Sequence, residues 1–290
     1  MSVNPYRPDR KYFESGIAVE LGAIPLIAPA VSSNTVTLQS IAGYNSPDSS
    51  TTVFTQSITV SAGTDLALAI GVTLESDGSD GRSVISATFN GDPLTLVDAQ
   101  SSGSWGRSEI WGMVAPDVGT HDLVVTVNGP DRLMIGAIVA ENVDQTTPFL
   151  TAAKSTGTAT TCSNTVSGVA TGDLVFDVLS LDGGPHTPYT IGADQTSGWE
   201  VISAAEVDST GSYQSGADAG VMSWTWTSSC LYAHVATAFK ASASGGGSDS
   251  ELQPTGISST AAIGTHTVSP GAVTVAPNGI SSTAAIGTHT

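Results

Sequence analysis

Four carboxylates, Glu200, Glu206, Asp208 and Asp218, fall in a stretch that also carries Trp199, Tyr213 and Trp224. Acids beside aromatic platforms are what a glycoside site uses: one carboxyl protonates the leaving oxygen, a second acts as base or nucleophile, and a ring stacks on the sugar. With 26 Asp and Glu in 290 residues, such neighbourhoods also arise by chance, so no catalytic pair is assigned and the chain is read as a non-enzyme. Sugar binding asks for less, only exposed ring faces and hydrogen-bond donors. Trp105, Tyr189 and Trp199 sit in Gly/Ser-rich stretches and are the candidate glycan-binding residues, with packing of each ring as the alternative.

The remaining chemistry-bearing residues point nowhere in particular. His121, His186, His234, His266 and His289 have no spacing that a local metal motif uses. No nucleophile elbow, zincin, P-loop or dinucleotide fingerprint occurs, and no metal or other cofactor is expected. Glu75, Asp77 and Asp80 ahead of Gly81 lack the alternating ligand order of a calcium loop and read as a solvated acidic turn. Cys162 and Cys230 open what are expected to be the first and last strands of the second half of the body, which often neighbour each other in a sandwich. A disulfide closing that loop of about 70 residues would contribute on the order of 4 kcal/mol in the chain-entropy model. In a reducing compartment both would remain thiols.

The elements that position these residues are strands. Only 12% of residues are charged and 6% aromatic, while 32 Gly, 14 Pro and abundant Ser, Thr, Ala and Val stand where a helical protein would carry Leu, Lys and Glu. From about residue 51 to 241 short apolar runs alternate with Gly, Asp, Ser and Pro, with no long 3.6-residue period. Leu123, Val125 and Val127 share one strand face, as do Met222, Trp224 and Trp226. Asn90-Gly91 predicts a type I′ hairpin between 83–89 and 94–97. The body also echoes itself at about 106 residues: Thr59-Val60-Ser61 before the run at 65–70 matches Thr165-Val166-Ser167 before 173–178. A Trp-bearing strand (108–114; 221–227) and a last apolar strand (133–140; 231–239) follow in each half, with an extra strand at 123–127 in the first. The expected fold is all-β: an antiparallel sandwich over 51–242, jelly-roll-like with pseudo-duplicated halves (51–145 and 158–242), built as one sandwich or as two side by side.

Segments of different character flank this body. Arg7, Arg10 and Lys11 supply three of the eight basic residues and precede an apolar stretch at 17–31 that imitates a secretory signal. Glu20, Pro25 and Pro29 interrupt it, and a membrane span needs about 20 apolar residues, so no membrane insertion is expected. Residues 1–50 read instead as an arm anchored on a partner protein through Arg7, Arg10 and Lys11, or as an unstructured terminus. The net charge of −18 disfavours nucleic acid as a partner. A Gly/Ser linker, 243–253, leads to residues 254–290, where the twelve residues 256–267 recur unchanged as 279–290 at a period of 23. A unit so poor in large apolar side chains cannot bury a core alone. Three chains wound together could share one, which predicts a homotrimeric β-rich fibre segment; the alternative is a disordered tail.

The tail unit, from Pro254, Thr255, Gly256 and Ile257 through Gly264 and Thr265 to Thr267 and Val268, resembles the short repeats of tail-fibre-like and other virion proteins of bacteriophages. The body, with Ala87 to Gly91, Leu94 to Val97 and Glu141 to Phe149, looks like a β-sandwich module common in phage structural proteins and secreted bacterial proteins. The repeat array is short, and residues 260–263 replace its usual acidic-aromatic segment. The resemblance implies an exterior virion component without catalytic residues, docked on other virion proteins by its arm and able to meet a host-surface glycan. Its rival is a secreted bacterial carbohydrate-binding or adhesin module.

Overall fold

A computed structural model of the chain describes residues 34–46, 51–75, 81–103, 105–183, 187–202, 207–218 and 220–243. Among these, apart from one 3-10 turn at Gly216–Asp218, the regular elements are strands, and every pairing is antiparallel. An outer sheet holds β2 (Thr51–Val60), β8 (Gly119–Asp131), β4 (Val84–Phe89) and β5 (Asp92–Pro93) in that order. A middle sheet runs β1 (Thr37–Asn45), β9 (Leu133–Glu141), β3 (Ala67–Glu75), β7 (Gly106–Val114), β6 (Thr95–Ser101). The third runs β10 (Ala153–Thr165), β15 (Val221–Phe239), β11 (Leu174–Asp182), β14 (Val207–Ser215), β13 (Thr196–Val201), with β12 (Thr190–Ile191) also on β15. The all-β sandwich expectation holds.

Alternation explains the layers. On β3, Leu68, Ile70, Val72 and Leu74 point to the outer sheet and pack with Phe54, Ile58, Phe89, Leu123, Val125 and Val127, while Ala67 and Ala69 point the other way, to Phe176, Val178, Val235 and Phe239 of the third sheet. A strand covered on both faces loses the polar half of its alternation, which is why β3, β9 and β11 read as nearly continuous apolar runs. The far side of the third sheet is covered by its own strands. The register of β10 on β15 jumps between Ala159↔Cys230 and Thr161↔Thr225, and at this irregularity both strands turn. Residues 161–165 and 221–226, with β12, then lie over β11, burying Met222, Trp224 and Trp226 on the one face where the sequence put them.

Several boundaries differ from the sequence reading. Strand β1 falls in the segment 1–50 assigned to the arm, yet it pairs with β9 along its length and Val36 is in the core; the body therefore begins by residue 34. The Asn90-Gly91 turn forms, with φ of 52° and 90°, but its hairpin is only two residues deep. Leu94 N–H still donates to the Ala87 carbonyl of β4 at 2.8 Å, but beyond it the chain crosses to the middle sheet, so 95–97 belongs to β6 and not to a partner of β4. Arg7, Arg10 and Lys11, the calcium-like turn at 76–80 and the repeats of 254–290 lie outside the described residues.

Candidate functional site

Among the described residues, a cluster of chemically competent side chains lies inside the second half of the body, and sequence spacing does not reveal it. Asp177 stands on the face of β11 away from the middle sheet, among Val175, Leu179 and Leu181, and is fully buried. A carboxylate there is tolerable only if its oxygens are satisfied. Oδ1 accepts from the Ser212 backbone N–H (2.7 Å) and the Ser212 hydroxyl (2.9 Å), and Oδ2 from Trp224 Nε1 (2.7 Å) and His234 Nε2 (2.9 Å). β14 supplies Ser212, β15 supplies His234 from its second half and Trp224 from the part folded over. With Nε2–H given to Asp177, the other ring nitrogen, Nδ1, accepts from the Cys162 thiol at 3.4 Å. Asn164 Nδ2 donates to the His234 carbonyl (3.2 Å).

Cys162, His234 and Asp177 thus align as thiol, imidazole and carboxylate, the order of a nucleophilic triad. The electrostatics oppose that use. Burial, and then the nearby charge of Asp177, hold the Cys162 thiol far above the ordinary cysteine range. Cys230, a residue of the same apolar cluster, is pushed up to about 11, chiefly by burial. At neutral pH both stay protonated, and Cys162 acts as a donor that completes the chain to Asp177. Of the two alternatives for the cysteines, the structure has the thiols: both are free and buried, and across the β10–β15 ladder Cys162 stands opposite Trp224 while Cys230 stands opposite Ala159.

Beside this chain Gln195, in the turn between β12 and β13, reaches inward. Its Oε1 accepts from the backbone N–H groups of Gly192 (3.1 Å) and Ser223 (2.8 Å), and its Nε2 donates to Ser212 Oγ (2.7 Å). A Cβ at residue 192 would lie 2.4 Å from Gln195 Oε1 and 2.3 Å from Ser223 Oγ, so glycine is what lets the amide oxygen approach these N–H groups.

The predicted glycan-binding rings differ in accessibility. Trp105 is 45% exposed on the β6–β7 turn. Tyr189 is half-buried and its hydroxyl donates to the buried Asp208. Trp199, expected in an exposed loop, lies on β13 at 4% exposure and is removed from any ligand. Gly43, Gly136 and Gly71 stand side by side across β1, β9 and β3, and their missing side chains leave a slot in the middle sheet that the Trp199 indole fills. A Cβ at residue 136 would come within 2.2 Å of the ring. Of the four acids first singled out, Glu200 is exposed and Asp208 buried against Tyr189; the side chains of Glu206 and Asp218 are outside the description.

The signal that could have found the internal chain was present but subtle: Asp177 between Phe176 and Val178, and His234 between Ala233 and Val235, are polar residues embedded in runs that read as core. No family model matches this chain, and neither curated proteins nor solved structures give a significant match.

Proposed function

We propose that this chain is a non-enzymatic structural component of a bacteriophage particle, a fibre, spike or decoration protein of the particle exterior, anchored by its N-terminal arm and assembled as a homotrimer. The observation that carries the reading is the unchanged recurrence of residues 256–267 as 279–290. Units this short and this poor in large apolar groups gain a core only by sharing one with sister chains. The body supports an anchoring role. Asn34 N–H donates to the Ser242 carbonyl and Asn34 Nδ2 to Ser242 Oγ, both at 3.0 Å, and the Ser242 N–H donates to the Asn142 carbonyl at 2.8 Å. The chain enters and leaves the body at one pole, which leaves the opposite pole available for display. A net charge of −18 keeps such a surface soluble at high copy number and repels packaged nucleic acid.

The same reading takes the body as two jelly-roll-like halves of one duplicated unit. Position by position, β1-β9-β3-β7-β6 corresponds to β10-β15-β11-β14-β13, and β2-β8-β4 to the second part of β10, the first part of β15, and β12. This correspondence revises the alignment of tryptophan strands: 221–227 matches β8, the strand that had seemed extra, and β7 matches β14.

A secreted carbohydrate-binding or adhesin module is the second reading, favoured by the exposed Trp105. Mass spectrometry of phage particles that carry the chain separates the two. The virion reading expects an intact Met1 and a copy number divisible by three. A secreted, monomeric protein lacking its first thirty or so residues would overturn it.

A further inference from the structure

The Gln195–Ser212 pair has the parts of an acyl-transfer site with its own substrate built in. Ser212, Asp177 and His234 are all at or near zero exposure, and Gln195 is at 9%. The Ser212 hydroxyl donates to Asp177 Oδ1 (2.9 Å), a carboxylate placed to take its proton, while His234 and Trp224 fix the other carboxylate oxygen. Ser212 Oγ lies 2.7 Å from Gln195 Nε2, and with an amide C–N bond of about 1.33 Å the side-chain carbon Cδ is within about 4 Å of the hydroxyl. The amide oxygen faces two backbone N–H donors, Gly192 and Ser223, which is the arrangement that stabilises an oxyanion.

We propose that Ser212 and Gln195 close an intramolecular ester, Ser212 Oγ displacing ammonia from the Gln195 side-chain amide between the third sheet and the strands folded over it. As Oγ attacks Cδ, the hydroxyl proton passes to Asp177 Oδ1 and the carbonyl electron pair moves onto Oε1, held by the Gly192 and Ser223 N–H groups. When the C–N bond breaks, the proton on Asp177 goes to the departing nitrogen. The new O–C bond replaces the broken C–N bond, Asp177 ends as it began, and ammonia leaves without any oxidant, metal or co-reactant. Exclusion of water from the interior protects the ester from hydrolysis. The cross-link ties the β12–β13 turn to β14 and is independent of whether the chain assembles on a virion.

Intact-mass measurement of the full chain, denatured after prolonged incubation in the folded state at 37 °C, tests this. The expected mass is ~17 Da below that of the sequence, the loss of one ammonia. Glu200 and Glu206 lie between the two residues, so cleavage after glutamate puts Gln195 and Ser212 on separate peptides unless the ester joins them. The joined peptide should separate on hydroxylamine treatment and be missing from Ser212→Ala and Asp177→Asn. Separate peptides and an undiminished mass in the wild-type chain overturn the proposal whether or not either variant folds. A 17 Da loss mapped to any other residues overturns it equally.

Discussion

Asp177 shows how a single buried charge can organise a core. Its four donors come from three different residues on β14 and β15, so the carboxylate joins strands that are distant in sequence. Replacing it by asparagine turns one acceptor oxygen into an amide donor aimed at groups that are themselves donors, and leaves buried N–H groups without partners. Asp177→Asn should therefore lower unfolding stability by about 3–5 kcal/mol in denaturant titrations. A loss under 1 kcal/mol would mean that water or rearrangement satisfies the donors. At Trp199 the issue is volume. Trp199→Ala should lose about 3–5 kcal/mol through the cavity it leaves. Gly136→Ala fills the slot from the other side, and a methyl 2.2 Å from the indole forces one sheet to shift. The two substitutions together should cost less than the sum of their separate effects, because once the ring is gone the methyl has room. Strict additivity would contradict the slot.

Between elements, the connection from β9 to β10 is fastened by Asp144. Its Oδ1 accepts from the N–H groups of Thr146 (2.9 Å) and Thr147 (3.0 Å), and its Oδ2 takes Lys240 Nζ at 2.8 Å, just beyond the end of β15. Lys240, followed by these two backbone donors, holds the Asp144 carboxyl well below the usual carboxylate range. A carboxylate whose folded value is depressed stabilises fully above its unfolded value and progressively less as pH falls toward the folded one. The stability gap between wild type and Asp144→Asn should thus be greatest above about pH 5 and shrink on acidification toward about pH 2. A gap that is constant over that window would show that the ion pair and its turn contribute nothing. Partial exposure of both side chains keeps the effect modest and sensitive to salt.

For the whole molecule, the meeting of Asn34 with Ser242 makes the body a closed loop of chain in all but one covalent link. Joining these ends through a short linker and opening the chain at the exposed β6–β7 turn near Trp105 should give a permuted body with unchanged β circular dichroism and cooperative unfolding. If the permutant fails to fold, the pole where the ends meet needs the flanking segments for its integrity. The stacked sheets are consistent with such tolerance, since each apolar cluster is closed by strands of the body itself.

Composition and period-2 alternation by themselves determined the all-β class, the buried faces of 123–127 and 222–226, and the turn at Asn90-Gly91, because each depends on neighbours within a few residues. They also exposed the repeat of 256–267, which is a property of the text alone. Only the tertiary structure decided that β1 belongs to the body, that Trp199 is a buried wedge, and that Cys162, Asp177, His234, Ser212 and Gln195 meet in one chain of hydrogen bonds. Those facts depend on which face of which sheet is covered and on registers between strands as distant in sequence as β1 and β9, where Thr37 stands opposite Glu141. The alternation of a strand shows that one side is apolar, but not what lies across from it.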